Sequence, residues 1–198
     1  MNDRKYKFDP NITLPEDFQL DFTYLPHLLF KEEKVRLRSL NYWKKRSSEK
    51  SFLGVYFQEE MKKRSFPLLE LKRTKEAGFG LFANEDIPSF TLIGEYTGIV
   101  RRKSLENSQL KNRYLMQYPV GFWSLFSWVI DAESQGNYCR WINHSKKRNV
   151  HIQSFLYDGL IHLGLVSSEK IPKGRQLLQD YGDLYWRQLK EKPYEINS

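Results

Sequence analysis

Two short polar strings near the C-terminus carry the residue types that a group-transfer site needs. Asn143-His144-Ser145 follows the apolar pair Trp141-Ile142 directly, and Asn149 comes shortly after it. An amide and an imidazole at the edge of a core can present hydrogen-bonding groups to a nucleotide. The second string is Asp180-Tyr181-Gly182, where a tight turn can present a phenol to a reacting atom. Together the two strings provide an amide, an imidazole and a phenol that could form one polar site at the edge of a core.

Two glycine-containing strings precede them in the chain. Gly78-Phe79-Gly80 is either only a tight turn or a place where backbone amides approach a ligand closely, because glycine has no Cβ and tolerates positive φ. A phosphate-binding loop matches poorly, since no further glycine opens a helix and no Walker Lys-Ser/Thr follows. In Gly94-Glu95-Tyr96-Thr97-Gly98, the tyrosine ends an apolar strand. Tyr96 is therefore either a sheet residue with a satisfied hydroxyl or a part of the site.

Hydrolytic and metal chemistry find little support in the sequence. Ser145 and His144 are neighbours in the chain, where side chains seldom face each other, and no Gly-x-Ser-x-Gly nucleophile elbow is present. No second His or carboxylate stands at metal-ligand spacing from His144. Cys139 is the single cysteine, which excludes an intrachain disulfide and a cysteine-based zinc site within one chain. We therefore expect no metal.

The segments that must position these strings have the patterns of β-strands. After Pro67 the sequence consists of short apolar or alternating runs separated by turn residues. Asp158-Gly159, between two such runs, predicts a tight β-hairpin. Many short strands at close spacing predict an α+β, mostly-β domain with several small sheets. The predicted strands are 68–73, 81–83, 91–97, 113–118, 128–132, 150–157, 160–167 and 176–179.

The N-terminal part of the chain has a different pattern. Pro10, Pro15 and Pro26 interrupt it, which predicts a loosely ordered arm over residues 1–25. Apolar residues at helical spacing predict helices over 28–46 and 48–64. The predicted divisions are an N-terminal arm and helical region, a central domain and a C-terminal tail, at 1–66, 67–187 and 188–198. One set of aromatic side chains either packs on the central domain or forms a dimer interface or substrate lid: Trp43, Phe52, Tyr56 and Phe57.

Composition limits the class of protein. With 198 residues, of which 40% are hydrophobic and 15% aromatic, the chain can build one sizeable folded core. No apolar run approaches the roughly 20 residues that span a bilayer. The N-terminus also lacks the apolar segment of a secretory signal peptide. We therefore predict a soluble intracellular protein without membrane contact.

The net charge of +8 bears on the partners. Lys-Lys-Arg occurs at 44–46, 62–64 and 146–148, and such clusters are either solvated faces or contacts to a polyanion such as DNA. A basic substrate is repelled by this average field, so that binding it requires locally acidic walls. The candidates for those walls are Glu95, Asp131, Glu133, Asp180 and Asp183.

In order and spacing, the four strings resemble the SET domain of protein-lysine methyltransferases, over residues 67–187. The strings Arg140-Trp141-Ile142-Asn143-His144-Ser145-Lys146 and Asp180-Tyr181-Gly182-Asp183 are most similar to the compact histone methyltransferases, and a small bacterial or viral member fits equally. The resemblance implies small β-sheets around a pseudoknot, in which the segment that holds Tyr181 threads the segment that holds Asn143 and His144. It also implies an S-adenosylmethionine-dependent enzyme that methylates lysines of histones or histone-like proteins, at nuclear chromatin or in a bacterial cytoplasm.

The resemblance further implies roles for particular residues. Tyr181 is the implied catalytic tyrosine, and Tyr96 is a second implied catalytic residue that helps to line the lysine channel. Gln179 and Tyr185 are implied to line the substrate channel, and no metal is implied. The residues implied to contact S-adenosylmethionine are Gly78, Phe79, Gly80, Tyr114, Asn143, His144 and Trp186.

Three positions depart from the family pattern. Many members have Cys at the position of Lys146 and a Cys-rich tail around zinc, so that the channel of this chain must be closed by other residues, such as Tyr185 and Trp186. Arg148 stands where Pro is usual. Gln179 stands where Phe or Tyr governs how many methyl groups fit. The alternative to an enzyme is a non-catalytic SET-like module that binds DNA or a protein partner through its basic surface.

Overall fold

A computed structural model describes residues 8–19, 21–44, 48–75, 77–103, 112–119, 128–194 and 196. The helices in these ranges are α1 (Glu33–Lys44), α2 (Ser48–Tyr56), α3 (Gln58–Lys63), a 3-10 helix (Tyr138–Trp141) and α4 (Asp183–Leu189). The strands are β1 (Ile12–Thr13), β2 (Thr23–Tyr24), β3 (Leu29–Phe30), β4 (Leu69–Thr74), β5 (Gly78–Ala83), β6 (Leu92–Glu95), β7 (Gly98–Arg102), β8 (Leu115–Tyr118), β9 (Trp128–Gly136), β10 (Asn143–His144), β11 (Val150–Tyr157), β12 (Leu160–Ser167) and β13 (Leu178–Gln179).

The strands form small sheets, as predicted. One sheet has the order β1-β4-β5, a second has the order β10-β13-β11-β12-β6, and a third has the order β2-β9-β7-β3 with β8 also paired to β9. Short strands in several sheets, preceded by helices, confirm the predicted α+β, mostly-β fold. The core lies between the sheets, and buried Leu71, Ile93, Ile130 and Leu165 come from all three of them.

The longest antiparallel pair is the predicted hairpin. β11 and β12 pair along their whole length, from Val150↔Ser167 to Tyr157↔Leu160. The connecting residues Asp158 and Gly159 both have positive φ, 47° and 74°. That conformation belongs to the two-residue turns whose twist matches the twist of the strands. The turn therefore fixes the register of the sheet that carries β13.

The site is positioned by a threaded crossing of two chain segments. β13 lies between β10 and β11 and runs parallel to both. On one side the Ser145 N–H donates to the Gln179 carbonyl (3.0 Å), and on the other the Asn149 N–H donates to the Leu178 carbonyl (3.1 Å). Residues 145–149 join β10 to β11, so that β13 passes through the loop that these residues close. The implied pseudoknot is therefore confirmed.

The N-terminal residues from Phe8 onward form part of this fold, and the prediction of a loose arm over 1–25 is wrong for them. Residues 1–7 lie outside the described residues. β1, β2 and β3 are parallel edge strands on β4, β9 and β7. Phe8, Phe18 and Phe22 surround the Trp141 ring at centroid distances of 6.0, 5.4 and 5.4 Å. The prolines prevent long elements, but they leave room for two-residue strands at sheet edges.

The helices differ from the prediction at their ends. α1 begins at Glu33, because Leu29–Phe30 is a strand, and the second predicted helix is divided at Phe57 into α2 and α3. The Phe57 ring is buried against the ring of Phe155 on β11, at a centroid distance of 5.6 Å, so that the junction between α2 and α3 is anchored to the core. Phe52 and Tyr56 are exposed, and the side chain of Trp43 is outside the described residues. The boundaries at 66 and 187 stay predictions. Within the described ranges, none of the helices has both the length and the apolar character needed to cross a bilayer.

Candidate active site

Most of the predicted site residues line one cavity of about 980 Å³. The 3-10 helix, β10, β13 and the start of α4 form its walls. The predicted residues that line it are Phe79, Tyr96, Tyr114, Asn143, Gln179, Tyr181 and Tyr185. The cavity is not lined by Gly78, Gly80, His144 and Trp186, which belong to the same segments.

The glycine string and the asparagine string are joined directly. Asn143 Nδ2 donates to the Phe79 carbonyl at 3.0 Å. A Cβ added to Gly80 would lie 2.9 Å from Asn143 Nδ2 and 2.5 Å from Gln176 Nε2. A Cβ at position 80 would therefore displace the ends of the Asn143 and Gln176 side chains, of which the Asn143 amide belongs to this wall.

His144 lies behind the cavity and orients the tyrosine. Its ring is fully buried, and Nδ1 accepts the Tyr181 backbone N–H at 3.1 Å. This acceptor role requires that Nδ1 carry no proton. The ring also contacts Trp186 at a centroid distance of 4.9 Å. A direct contact of His144 and Trp186 with a nucleotide stays a prediction.

Two tyrosine hydroxyls at the cavity already donate hydrogen bonds to backbone carbonyls. Tyr181 OH donates to the Ile142 carbonyl at 2.7 Å, and Tyr96 OH donates to the Tyr114 carbonyl at 3.0 Å. Burial raises the pKa of the Tyr181 phenol well above its usual value, and it raises the pKa of Tyr96 in the same way. Both side chains therefore stay neutral phenols at neutral pH, with oxygen lone pairs left to accept a further hydrogen bond.

Arg140 is a cavity residue that the sequence analysis did not single out. Its guanidinium lies 3.8 Å from the centroid of the Tyr114 ring and 4.3 Å from that of Phe22, and Nη1 donates to the Glu133 carbonyl at 3.0 Å. Nε is buried and has no hydrogen-bond partner among the described residues. A buried N–H without a partner is costly, and a bound ligand can satisfy it. The sequence signal that could have identified Arg140 is its position three residues before Asn143, at the start of the same string.

A chain of hydrogen bonds that begins at Asp131, the Asp131 relay, holds the Tyr96 hydroxyl. Asp131 Oδ2 accepts from Arg101 Nε (2.8 Å) and Nη2 (2.6 Å), and Oδ1 accepts from Asn112 Nδ2 (3.0 Å). Asn112 Oδ1 accepts the Tyr114 N–H at 2.9 Å, and the carbonyl of that residue accepts from Tyr96. Burial alone raises the pKa of Asp131, but the hydrogen bonds from Asn112 and a backbone N–H, with the Arg101 charge, lower it below its usual value.

The residues predicted to line the substrate channel come from β13 and α4. Gln179 is buried and lies beside His144 in the parallel register of β10 and β13. Tyr185 donates its hydroxyl to the Arg113 carbonyl at 3.2 Å, and its ring lies 4.7 Å from Tyr181. Both side chains line the same cavity as Tyr181.

Residues beyond α4 cover this region. Tyr194 lines the cavity, and its ring lies 5.5 Å from Trp186. Glu191 forms an ion pair with Arg113 at 2.9 Å, and Ser145 Oγ donates to the Ile196 carbonyl at 3.4 Å. These contacts close the cavity on the side for which we expected other residues in place of a zinc-binding tail. Among the described residues, no three His, Cys, Asp or Glu side chains are grouped as metal ligands would be.

The predicted acidic walls are largely absent from the described part of the cavity. Of the five candidates, Asp180 alone lines it. Glu95 is buried, forms an ion pair with Arg64 (3.1 Å) and shares a hydrogen bond with His162 Nδ1. Asp131 is committed to Arg101. Sequence alone does not reveal such pairing, because the partners are far away in the chain.

Comparison with known proteins shows the family. The SET domain pattern matches residues 78–182, more than half of the chain. ASHH4 of Arabidopsis thaliana is 36% identical over 121 residues, which are 57% of this chain and 33% of that protein. A histone-lysine N-methyltransferase of Kluyveromyces lactis, specific for H3 lysine-36, is 26% identical over 129 residues, which are 62% of this chain and 18% of that protein.

Among solved structures, one of KRYPTONITE is 31% identical, covers 58% of this chain and 23% of that chain, and has a TM-score of 0.48. The matched region spans a third or less of each of these relatives. Together with the threaded β13 and the segments that it joins, the match to residues 78–182 shows that the chain belongs to the SET-domain family.

Proposed function

We propose that this chain is a protein-lysine N-methyltransferase, which transfers a methyl group from S-adenosylmethionine to lysine ε-amines of a histone or histone-like protein. The observation that carries the proposal is the threaded crossing, which brings the Tyr181 phenol to a cavity bounded also by Phe79, Asn143 and Tyr96. Relatives that match this chain are named histone-lysine N-methyltransferases. For a eukaryotic chromatin substrate the protein acts in the nucleus, and for a bacterial one in the cytoplasm.

The walls fit an adenosyl cofactor. Phe79, Tyr114 and Asn143 would hold it, the absence of a Cβ at Gly80 leaves the Asn143 amide in place, and the buried Arg140 Nε has an N–H to donate. S-adenosylmethionine supplies an activated methyl group on a sulfonium. The remaining task of the protein is to place a neutral amine in line with that methyl group.

The lysine amine has to be neutral in order to attack. The reference pKa of lysine is about 10.4, and a channel walled by Tyr96, Tyr181 and Tyr185 disfavours the charged form by desolvation. Neither Tyr96 nor Tyr181 can act as a general base at neutral pH, because burial raises both pKa values. The Tyr181 oxygen instead accepts a hydrogen bond from an N–H of the amine, because its own O–H donates a hydrogen bond to the Ile142 carbonyl. Gln179 limits the space around the amine and thus the number of methyl groups added.

The proposal is tested by transfer of a tritiated methyl group to a mixture of histones and bacterial histone-like proteins. The unmodified protein should label at least one of these substrates, and Tyr181→Phe should not. Tyr56→Phe is the matched control, because Tyr56 is exposed on α2 and does not line the cavity. Equal labelling by Tyr181→Phe, or no labelling while S-adenosylmethionine binds in calorimetry, would reject the proposal.

We propose two further partners, DNA and a second copy of the chain. DNA contact rests on the basic clusters, although Lys63 and Arg64 are in ion pairs with Glu59 and Glu95, and Lys146 is paired with acidic residues. A homodimer through the N-terminal helices is supported by exposed apolar side chains on α2: Phe52, Val55 and Tyr56. Salt-dependent DNA binding and sedimentation test these two partners separately.

A further inference from the structure

The charged residues that line the cavity are mostly cations. Lys103, Arg113, Arg140 and Arg148 line it, against the single described carboxylate of Asp180. The stretches 104–111 and 120–127 are outside the described ranges, as are Glu76 and Glu195, which adjoin the lining residues Ala77 and Tyr194 in the chain. Among the described residues, a substrate that enters this cavity meets mostly cations.

Two of the five charges are compensated by neighbours. Arg113 is paired with Glu191 at 2.9 Å, and Asp180 with Lys146 at 3.5 Å. Lys103 donates to the Gln188 amide oxygen at 2.9 Å, which is a neutral partner and leaves the charge in place. The positive field of the wall therefore survives these contacts.

Arg148 is the exposed cation of this wall whose guanidinium has no partner among the described residues. It is exposed, and it forms no hydrogen bond or ion pair with a residue in the described part of the chain. His151, which also lines the cavity, is close to it: burial, and then the Arg148 charge, lower the pKa of this imidazole. At neutral pH the positive charge of this corner is therefore that of Arg148.

The place of Arg148 in the fold relates it to the target amine. Val150, two residues further along, pairs with Gln179 across β11 and β13. Two residues of chain span at most about 7 Å, so that the Arg148 backbone lies within that distance of Val150. The same distance separates a residue from its second neighbour in an extended peptide. A substrate lysine beside Gln179 thus has its near neighbours within reach of this guanidinium.

We propose that Arg148 determines substrate specificity by binding a carboxylate of the substrate, from an Asp or Glu within about two residues of the target lysine. The inference rests on the proposed methyl transfer and narrows its substrate class to those lysines of histones or histone-like proteins that have an acidic residue nearby. A like charge at that position is repelled, and an uncharged side chain leaves the guanidinium without a partner. The α-carboxylate of the cofactor has the same chemistry, so that the experiment must separate the two sources.

The test compares three peptides that each contain a single lysine. They differ only at the position two residues from that lysine, which is Glu, Gln or Arg. Binding is measured by fluorescence anisotropy, and methyl transfer is measured separately. The unmodified protein should prefer the Glu peptide over the Gln peptide by about 3- to 10-fold in both Kd and kcat/KM, and less so at high salt. Arg148→Gln should remove the preference, and Arg148→Glu should reverse it towards the Arg peptide.

Lys147→Gln is the matched control, because Lys147 is exposed beside Arg148 and does not line the cavity. It should keep the preference for Glu. No preference, or a preference for Arg in the unmodified protein, overturns the inference. If Arg148→Gln instead weakens S-adenosylmethionine binding in calorimetry and all peptides equally, the carboxylate is that of the cofactor and the inference is wrong. A Glu preference in binding without methyl transfer supports the inference and rejects the proposed enzyme activity.

Discussion

Replacing Asp131 by Asn tests whether the Asp131 relay positions Tyr96 for methyl transfer. The substitution keeps the size of the side chain and removes its charge. Arg101 then loses its anionic partner, and the Asn112 amide loses a charged acceptor. Because Asn112 also holds the Tyr114 N–H, the change reaches the carbonyl that accepts from Tyr96.

The expected loss of stability follows from burial. The Arg101 and Asp131 side chains are 14% and 13% exposed, so that this is not a surface ion pair. Removing one partner of such a pair costs about 3 kcal/mol of unfolding free energy. For a chain of this size that corresponds to a fall of about 6–12 °C in Tm. A shift of up to 1 Å in Tyr96 should also lower kcat by roughly 10- to 100-fold.

The pH dependence separates the charge from the shape of Asp131. The folded-state pKa of Asp131 is lowered, so its contribution is fully present above the unfolded pKa of about 3.9 and is lost as pH falls through the folded value. The difference in stability between the unmodified protein and Asp131→Asn should therefore be constant at neutral pH and should shrink in acid.

Thermal denaturation from neutral pH into acid and methyl-transfer kinetics at neutral pH measure these effects. Glu133→Gln is the matched control, since it is the same chemical change on β9 at an exposed side chain. A fall in Tm with unchanged kcat would refute the positioning role and leave Asp131 a purely structural residue. An equal effect of Glu133→Gln would refute the reasoning about burial.

Three further substitutions probe the cavity. Tyr181→Phe removes the hydroxyl that donates to Ile142 and should lower kcat at least about 100-fold, while the unfolding free energy falls by only about 1–3 kcal/mol; radiometric assay and denaturant titration check both. Gln179→Phe should change the proportions of mono-, di- and trimethyl-lysine in mass spectrometry, and an unchanged pattern would exclude this residue from the channel. Gly80→Ala places a Cβ 2.9 Å from Asn143 Nδ2 and should weaken S-adenosylmethionine binding in calorimetry by about 5- to 100-fold.

The local parts of this architecture could be predicted from sequence. Val150–Tyr157 and Leu160–Ser167 have the predicted bounds, because the alternating pattern and an Asp-Gly turn are both local signals. The resemblance of the Asn143 and Tyr181 strings to one family implied the threading, which no local pattern contains. In contrast, Gly98–Arg102 escaped prediction, because a glycine begins it and its pairing partner is distant in the chain.

The parts that were wrong depend on tertiary partners. Glu95 is acidic and was therefore predicted to line the cavity. It is instead buried in an ion pair with Arg64, which ends α3. The proline-rich N-terminus has no periodicity, but its aromatic residues pack on Trp141 and so support the 3-10 helix that precedes Asn143. Composition gives the pairing capacity of a residue, and only the fold selects the partner.

The cover of the cavity depends more on aromatic packing than on charge. The Arg113–Glu191 pair is 47% and 24% exposed, and a pair of that kind contributes about 0–1 kcal/mol. Trp186 is buried between His144 and Tyr194, and burial of one large apolar side chain contributes about 1.5–3 kcal/mol. The same indole supports the His144 ring that holds the Tyr181 amide. Closure of the cavity and placement of the phenol are therefore stabilised by the same contacts.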